Sequence, residues 1–281
     1  MKYGLALVLI MLGMGASVLL FQLASHPSVP KGIPASAPEV QGLLESSLNF
    51  QYSPGKHGGQ FRNTMSADLQ TFNAVLSTDA TSSSILGWMY HGLLDRNRAT
   101  YAWEPRLAAA MPEKVDEEGL VWDVRLREDV RWFDGTPLTA DDVVFTIDRI
   151  IYNETILTSW RYSWELEDTD PETGRQIKRK VKVEKTGPYR VRFTLPYKWA
   201  YFHEALGTEI MPRHALEQAV DEGRFNEKWN LQTPPHRIVG CGPYKIKSYR
   251  FNERLVLERN HDYFRKNQFE ATMPHLDEIV Y

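Results

Sequence analysis

The chain has 281 residues, 42% hydrophobic, 12% aromatic and 25% charged, with a formal net charge of −3. That composition belongs to a globular protein long enough for two modest cores. Its weakly acidic balance offers no field for gripping phosphate backbones and excludes nucleic acid as the expected partner.

The chain opens with Lys2 and then an uncharged apolar run over residues 4–21. A basic start before such a run predicts export. The run is long enough to remain as an inner-membrane anchor, with Lys2 on the cytoplasmic side, so residues 1–24 are expected to be a signal peptide or an anchor. No small-x-small cleavage site directly follows the run, and Ala35-Ser36-Ala37, which fits the pattern, lies well downstream. Residues 25–45 are rich in Pro, Ser and Ala without helical or strand period, so 25–57 reads as a linker.

From Gly58 onward, short strands, turns and helices alternate, which predicts a mixed α/β (α+β) architecture. A polar loop, Ser77–Thr81, precedes a helix expected over Ser82–Leu94. Trp122, Val124 and Leu126 alternate with charged residues and predict a half-buried strand. Asp134-Gly135-Thr136-Pro137 then turns the chain, and Thr139 with Asp142 forms a capping-box pattern before Val143, Ile147, Ile150 and Ile151 at helical spacing. Residues 181–195 read as a hairpin turning at Gly187-Pro188. The basic run Lys178-Arg179-Lys180 just before it reads as a solvated strand edge. Trp199, Tyr201 and Phe202 are expected in the core, as are Trp132 and Phe133. After Gly240-Cys241-Gly242-Pro243 a strand starts at Tyr244, and a second is expected at Arg254–Arg259. The closing HLDEIVY segment reads as an apolar strand with an unpaired edge, from which the natural chain is expected to continue.

Cys241 is the only cysteine, which excludes a disulfide framework and a clustered-thiol metal site. A nucleophilic Cys241 with His203, His214 or His236 as base would make the chain an exported hydrolase. None of the local nucleophile signatures surrounds it, and a lone cysteine reads better as a small core residue. His203-Glu204 and His214 lack the two-turn spacing of a helical zinc site, and no metal ligands are inferred. Gly240-x-Gly242-Pro243 lacks the lysine and helix start that a phosphate loop needs. No cofactor is expected.

Several segments together resemble the bacterial extracellular solute-binding proteins of family 5, which serve peptide and nickel importers. The run from Trp122-Asp123-Val124-Arg125-Leu126-Arg127 through Trp132-Phe133-Asp134-Gly135-Thr136-Pro137 to Thr139-Ala140-Asp141-Asp142-Val143 carries most of the likeness. Tyr90-His91-Gly92-Leu93-Leu94 resembles the family's short aromatic-x-Gly-Leu helix. Glu104-Pro105-Arg106-Leu107-Ala108, Gly240-Cys241-Gly242-Pro243-Tyr244 and Asn260-His261-Asp262-Tyr263-Phe264 match further family segments, with Cys241 and His261 standing where Thr and Pro are usual.

The resemblance implies a type II periplasmic-binding-protein-like fold of two lobes, here truncated before the second, with an extra α/β domain. Residues 58–89 and 208–281 would form the first lobe and 90–207 the extra domain. It implies the substrate-binding component of an ABC importer, a monomer in the periplasm or cell envelope. Such a protein takes oligopeptides, dipeptides or a related small solute such as a nickel complex to membrane permease subunits, and is not an enzyme. The ligand edge implied is Ser77, Thr78, Asp79, Ala80 and Thr81, where a peptide would add as a strand. Tyr244 is a second candidate, with strand packing as its alternative. Without a second lobe to close on a ligand, residues 25–281 alone are expected to bind weakly.

Overall fold

A computed structural model of the chain describes residues 55–97, 100–267 and 269–281. The export segment and linker expected over 1–57 lie outside these residues except for 55–57.

Strand β1 (Gln60–Arg62) leads through a loop to helix α1 (Ala80–Leu86), and β2 (Leu94–Arg96) pairs with β3 (Trp103–Pro105) as a small ribbon. Helix α1 is shorter than the expected Ser82–Leu94 helix. Gly87 ends it, and after a turn at 87–89 the segment from Tyr90 runs irregularly into β2 at Leu94 rather than forming a helix of its own. The reason is tertiary. Leu94 N–H bonds to the Leu206 carbonyl, and the Met89 carbonyl accepts from both Cys241 and Gly242, so these groups are spent outside any helix.

β4 (Glu113–Lys114) and β5 (Val121–Arg125) come next, followed by α2 (Ala140–Val144), which continues as a π-helical stretch, Phe145–Ile151. The Asp142 carboxylate accepts from the Thr139 backbone N–H at 2.9 Å, as the capping pattern predicts. It also accepts from Arg213 N–H at 2.9 Å, so one buried side chain ties the starts of two helices together. β6 (Glu165–Thr169) and β7 (Gln176–Lys180) form a second ribbon. β8 (Lys182–Gly187) and β9 (Arg190–Thr194) form the expected hairpin across Gly187-Pro188. The basic run 178–180 lies on β7, where Lys178 pairs with Glu165 at 2.8 Å and Arg179 with Asp168. Helices α3 (Phe202–Ala205) and α4 (Arg213–Asp221) precede β10 (Tyr244–Arg250), β11 (Arg254–Arg259) and β12 (Glu278–Val280).

Two four-stranded sheets result. One, ordered β4-β5-β9-β8, is antiparallel throughout, and Asp123 and Arg192 face each other across it with bonds of 2.7 and 2.9 Å. The other is ordered β1-β12-β11-β10, with β1 and β12 parallel and the rest antiparallel. β12 is therefore an interior strand flanked on both sides. The apolar HLDEIVY segment is not the unpaired edge that its composition suggested: Ile279 and Val280 are buried because β1 covers one side of the strand.

Each sheet has its own apolar core. Val124, Trp164, Val191, Phe193 and Phe202 gather on the first, and Phe72, Ile85, Met89, Leu255 and Leu257 on the second. The long helix of residues 140–151 serves both, with Val143, Ile147 and Ile151 facing one core and Phe145 and Ile150 the other. Of the expected aromatic core residues, Trp132 and Phe202 are buried, and Trp199 and Phe133 are partly so. Tyr201 departs from the expectation: the turn before α3 leaves it 69% exposed.

Candidate functional site

The segment expected to receive a ligand is held open by the elements at its two ends. Asn73 caps a 3₁₀ turn, Ala74–Leu76, by accepting from Val75 N–H at 3.1 Å, while its amide donates to the Lys228 carbonyl at 3.2 Å. At the other end Asp79 Oδ1 accepts from Ser82 N–H at 2.7 Å and starts α1. Ser82 is fully buried and its hydroxyl accepts from Gln70 N–H at 2.9 Å, and the Ser77 and Ser83 hydroxyls meet at 2.9 Å. Between these clamps Ser77 (φ −68°, ψ 125°) and Asp79 (φ −107°, ψ 149°) are extended.

Among the described residues, the N–H and C=O of exposed Thr78 and the N–H of Asp79 bond to nothing. Unpaired extended backbone of this kind is what strand addition uses. Asp79 Oδ2 is also buried without a partner. Ala80 and Thr81 differ from these three residues, since they are already the first turn of α1 and lie beyond the extended edge. Reading the sequence alone missed Gln70, Asn73, Ser82 and Ser83, the residues that shape the edge. The available signal was Asn73 ahead of Ala-Val-Leu and the serine run after Asp79, both capping patterns.

Tyr244 is not part of this edge. It is buried at the start of β10, its N–H bonds to the Trp88 carbonyl at 3.1 Å and its hydroxyl donates to the Leu276 carbonyl at 3.2 Å. Its ring stands edge-on to that of Trp88 with centroids 5.6 Å apart. The N–H and the hydroxyl of Tyr244 are thus both committed within the fold.

The Cys241 thiol is buried, and that burial pushes its pKa up to about 12. A thiol so disfavoured as thiolate is a poor nucleophile. His91, the nearest match to a catalytic base in this region, is held neutral. Burial, reinforced by Arg106, lowers its pKa to about 3, and its Nε2 lies 2.8 Å from the Tyr263 hydroxyl. His214 meets Asp134 at 2.7 Å on the surface, and burial lowers the pKa of His203. Among the described residues no group of three or more His, Cys, Asp or Glu is placed to hold a metal ion.

The sequence and the overall fold both match known proteins. Residues 102–281 match the family described as bacterial extracellular solute-binding proteins, family 5, middle part. The chain belongs to that family. It is 31% identical over 249 residues to the oligopeptide-binding protein AppA of Bacillus subtilis, covering 85% of this chain and 40% of the relative. It is 27% identical over 262 residues to the periplasmic oligopeptide-binding protein OppA of Escherichia coli, covering 91% of this chain and 42% of that protein. The solved structure of Bacillus subtilis AppA in complex with a nonapeptide superposes with a TM-score of 0.63 at 29% identity, over 81% of this chain and 40% of that one.

The fold is therefore the mixed α/β, type II binding-protein fold, of which this chain carries one part. It spans about 40% of the length of the family-5 relatives it matches. Among the described residues no helix is long and apolar enough to cross a membrane. The anchor expected over residues 4–21 lies outside them.

Proposed function

We propose that this chain is part of the substrate-binding component of an ABC importer in the cell envelope. It takes an oligopeptide as an added strand on the Ser77–Asp79 edge and delivers it to membrane permease subunits, without catalysing a reaction. The observation that carries the reading is the open N–H and C=O of Thr78 between two capped turns. Main-chain bonds bind peptide independently of its sequence, and hydrated side-chain pockets then tolerate many residues. The oligopeptide-binding relatives give the ligand class its support, as does the nonapeptide bound by the Bacillus subtilis protein.

Residues 58–89 and 208–281 would form the first lobe and 90–207 the extra domain, a division supported by the two separate cores. The protein acts as a monomer. A second lobe would close the site, with closure driven by contacts made only in the closed state.

Thr78→Pro tests the edge directly. Ser77 has ψ 125°, a conformation that a following proline tolerates, and the Thr78 N–H has no partner inside the fold to lose. In the complete protein, second lobe included, the variant should therefore fold normally and bind peptide about tenfold more weakly, the equivalent of one main-chain bond. Calorimetry of both proteins against one peptide mixture checks this, and unchanged affinity would sink the strand-addition reading.

A further inference from the structure

A polar cleft lies at the amino ends of β1 and β12, at the far end of the sheet from the loop that follows β1. Its volume is about 240 Å³, and its lining includes His57, Arg259, His261 and Thr272. Gly58 (φ 113°) and Gly59 (φ 88°) turn the chain so that His57 lies against His275, with ring centroids 4.8 Å apart.

Hydrogen bonding fixes where the protons sit. The Asn267 Oδ1 atom accepts from the N–H groups of Phe269 (2.8 Å) and Ala271 (3.0 Å), so the amide nitrogen is the atom turned to His275 Nε2 at 3.1 Å. The Nε2 atom must then accept, and the proton of a neutral His275 sits on Nδ1, which is buried without a partner among the described residues. Arg259 has no acceptor, so its Nη1 donates to His57 Nδ1 at 2.9 Å and the His57 proton sits on Nε2, on an exposed ring. The Nε–H of Arg259 is buried and, among the described residues, also unpartnered.

Two of these donor-bearing side chains, His57 and Arg259, line the cleft, and His275 packs behind His57. The carboxylate beside them, Asp277, is engaged with Arg259 Nη2 at 3.3 Å and Gly59 N–H at 3.2 Å. A cluster of donors short of acceptors is complementary to an oxyanion. We propose that this cleft binds a small oxyanion, a carboxylate or a phosphate, seated against Arg259 and His57. Bound there it would tie the segment before β1 to the loop before β12. The site is independent of the peptide edge, and it stands or falls without it.

The test titrates the full chain with inorganic phosphate and, separately, with acetate at constant ionic strength, following the histidine ring resonances by NMR. The site predicts saturable shifts of His57 and His275 together. His57→Phe, a change at an exposed ring, should weaken binding about tenfold by removing one donor to a charged acceptor. Asp277→Asn should tighten it several-fold by removing the competing negative charge. Tighter phosphate than acetate binding would support a phosphate-like ligand, and the reverse a carboxylate. Resonances that move with neither anion would overturn the proposal, leaving the buried donors to water. So would affinities that both substitutions leave unchanged.

Discussion

The β4-β5-β9-β8 sheet draws all its strands from residues 113–194. The β1-β12-β11-β10 sheet instead joins Gln60–Arg62 to Glu278–Val280, positions 218 residues apart. Both bury comparable aromatic and aliphatic side chains, so the contrast is one of chain path and not of composition. Loop closure grows slowly in cost with length, so the long-range sheet need be little less stable than the local one. It should, however, form later, because nonlocal pairings are reached only after the intervening chain is ordered.

Truncating one side chain in each core tests that order and gives the largest effects. Phe193 and Leu257 are both fully buried. Phe193→Ala should cost about 3–5 kcal/mol and Leu257→Ala about 2–5 kcal/mol. In stopped-flow kinetics the first should mainly slow folding and the second mainly speed unfolding. The same kinetic signature for both would remove the distinction between the sheets.

The seam between the two cores offers a sharper break. A Cβ on Gly242 would fall well inside van der Waals contact distance of the Trp88 carbonyl oxygen and 2.7 Å from the Met89 carbonyl carbon. Backbone cannot yield as a side-chain tip does, so Gly242→Ala should cost about 3 kcal/mol, at the upper end for overpacking, and lower the urea midpoint accordingly. A loss below about 1 kcal/mol would mean that the seam is looser than its contacts imply.

A smaller and pH-dependent effect is expected at Asp142, whose carboxylate joins α2 to α4. Burial raises its pKa despite donors from Thr139, Arg213 and Trp132. A raised folded-state value adds stability that is full below the unfolded pKa of about 4 and is lost as pH rises through the folded value. Asp142→Asn should cost about 1–2 kcal/mol through the lost acceptor. The gap to the native protein should be widest in acid and narrow toward neutral pH. Urea midpoints at several pH values check the sign, and a gap that widens with pH would contradict it.

Local patterns were legible in the sequence wherever neighbours along the chain decide the structure. The alternation at Trp122–Leu126, the Thr139–Asp142 cap and the Gly187-Pro188 hairpin needed nothing from elsewhere. The extent of α1 and the edge position given to the HLDEIVY strand were misjudged because distant partners decide them. The backbone at Met89 is claimed by Cys241 and Gly242, and β12 is covered by β1. At the candidate site, the polar run 77–81 was visible by resemblance. The open backbone of residues 77–79, the serine clamps behind it and the packed role of Tyr244 became evident only in three dimensions.

The pairing of β1 with β12 also has a consequence for synthesis. At ribosomal rates β1 emerges roughly 10–40 s before its partner, and until then it has nothing to pair with. Strand β1 suits that wait. It is only three residues long, it carries Gln60 and Arg62 on either side of its one aromatic residue, and all three positions remain exposed even in the finished sheet. A nascent strand so short and polar gives neighbouring chains little to stick to.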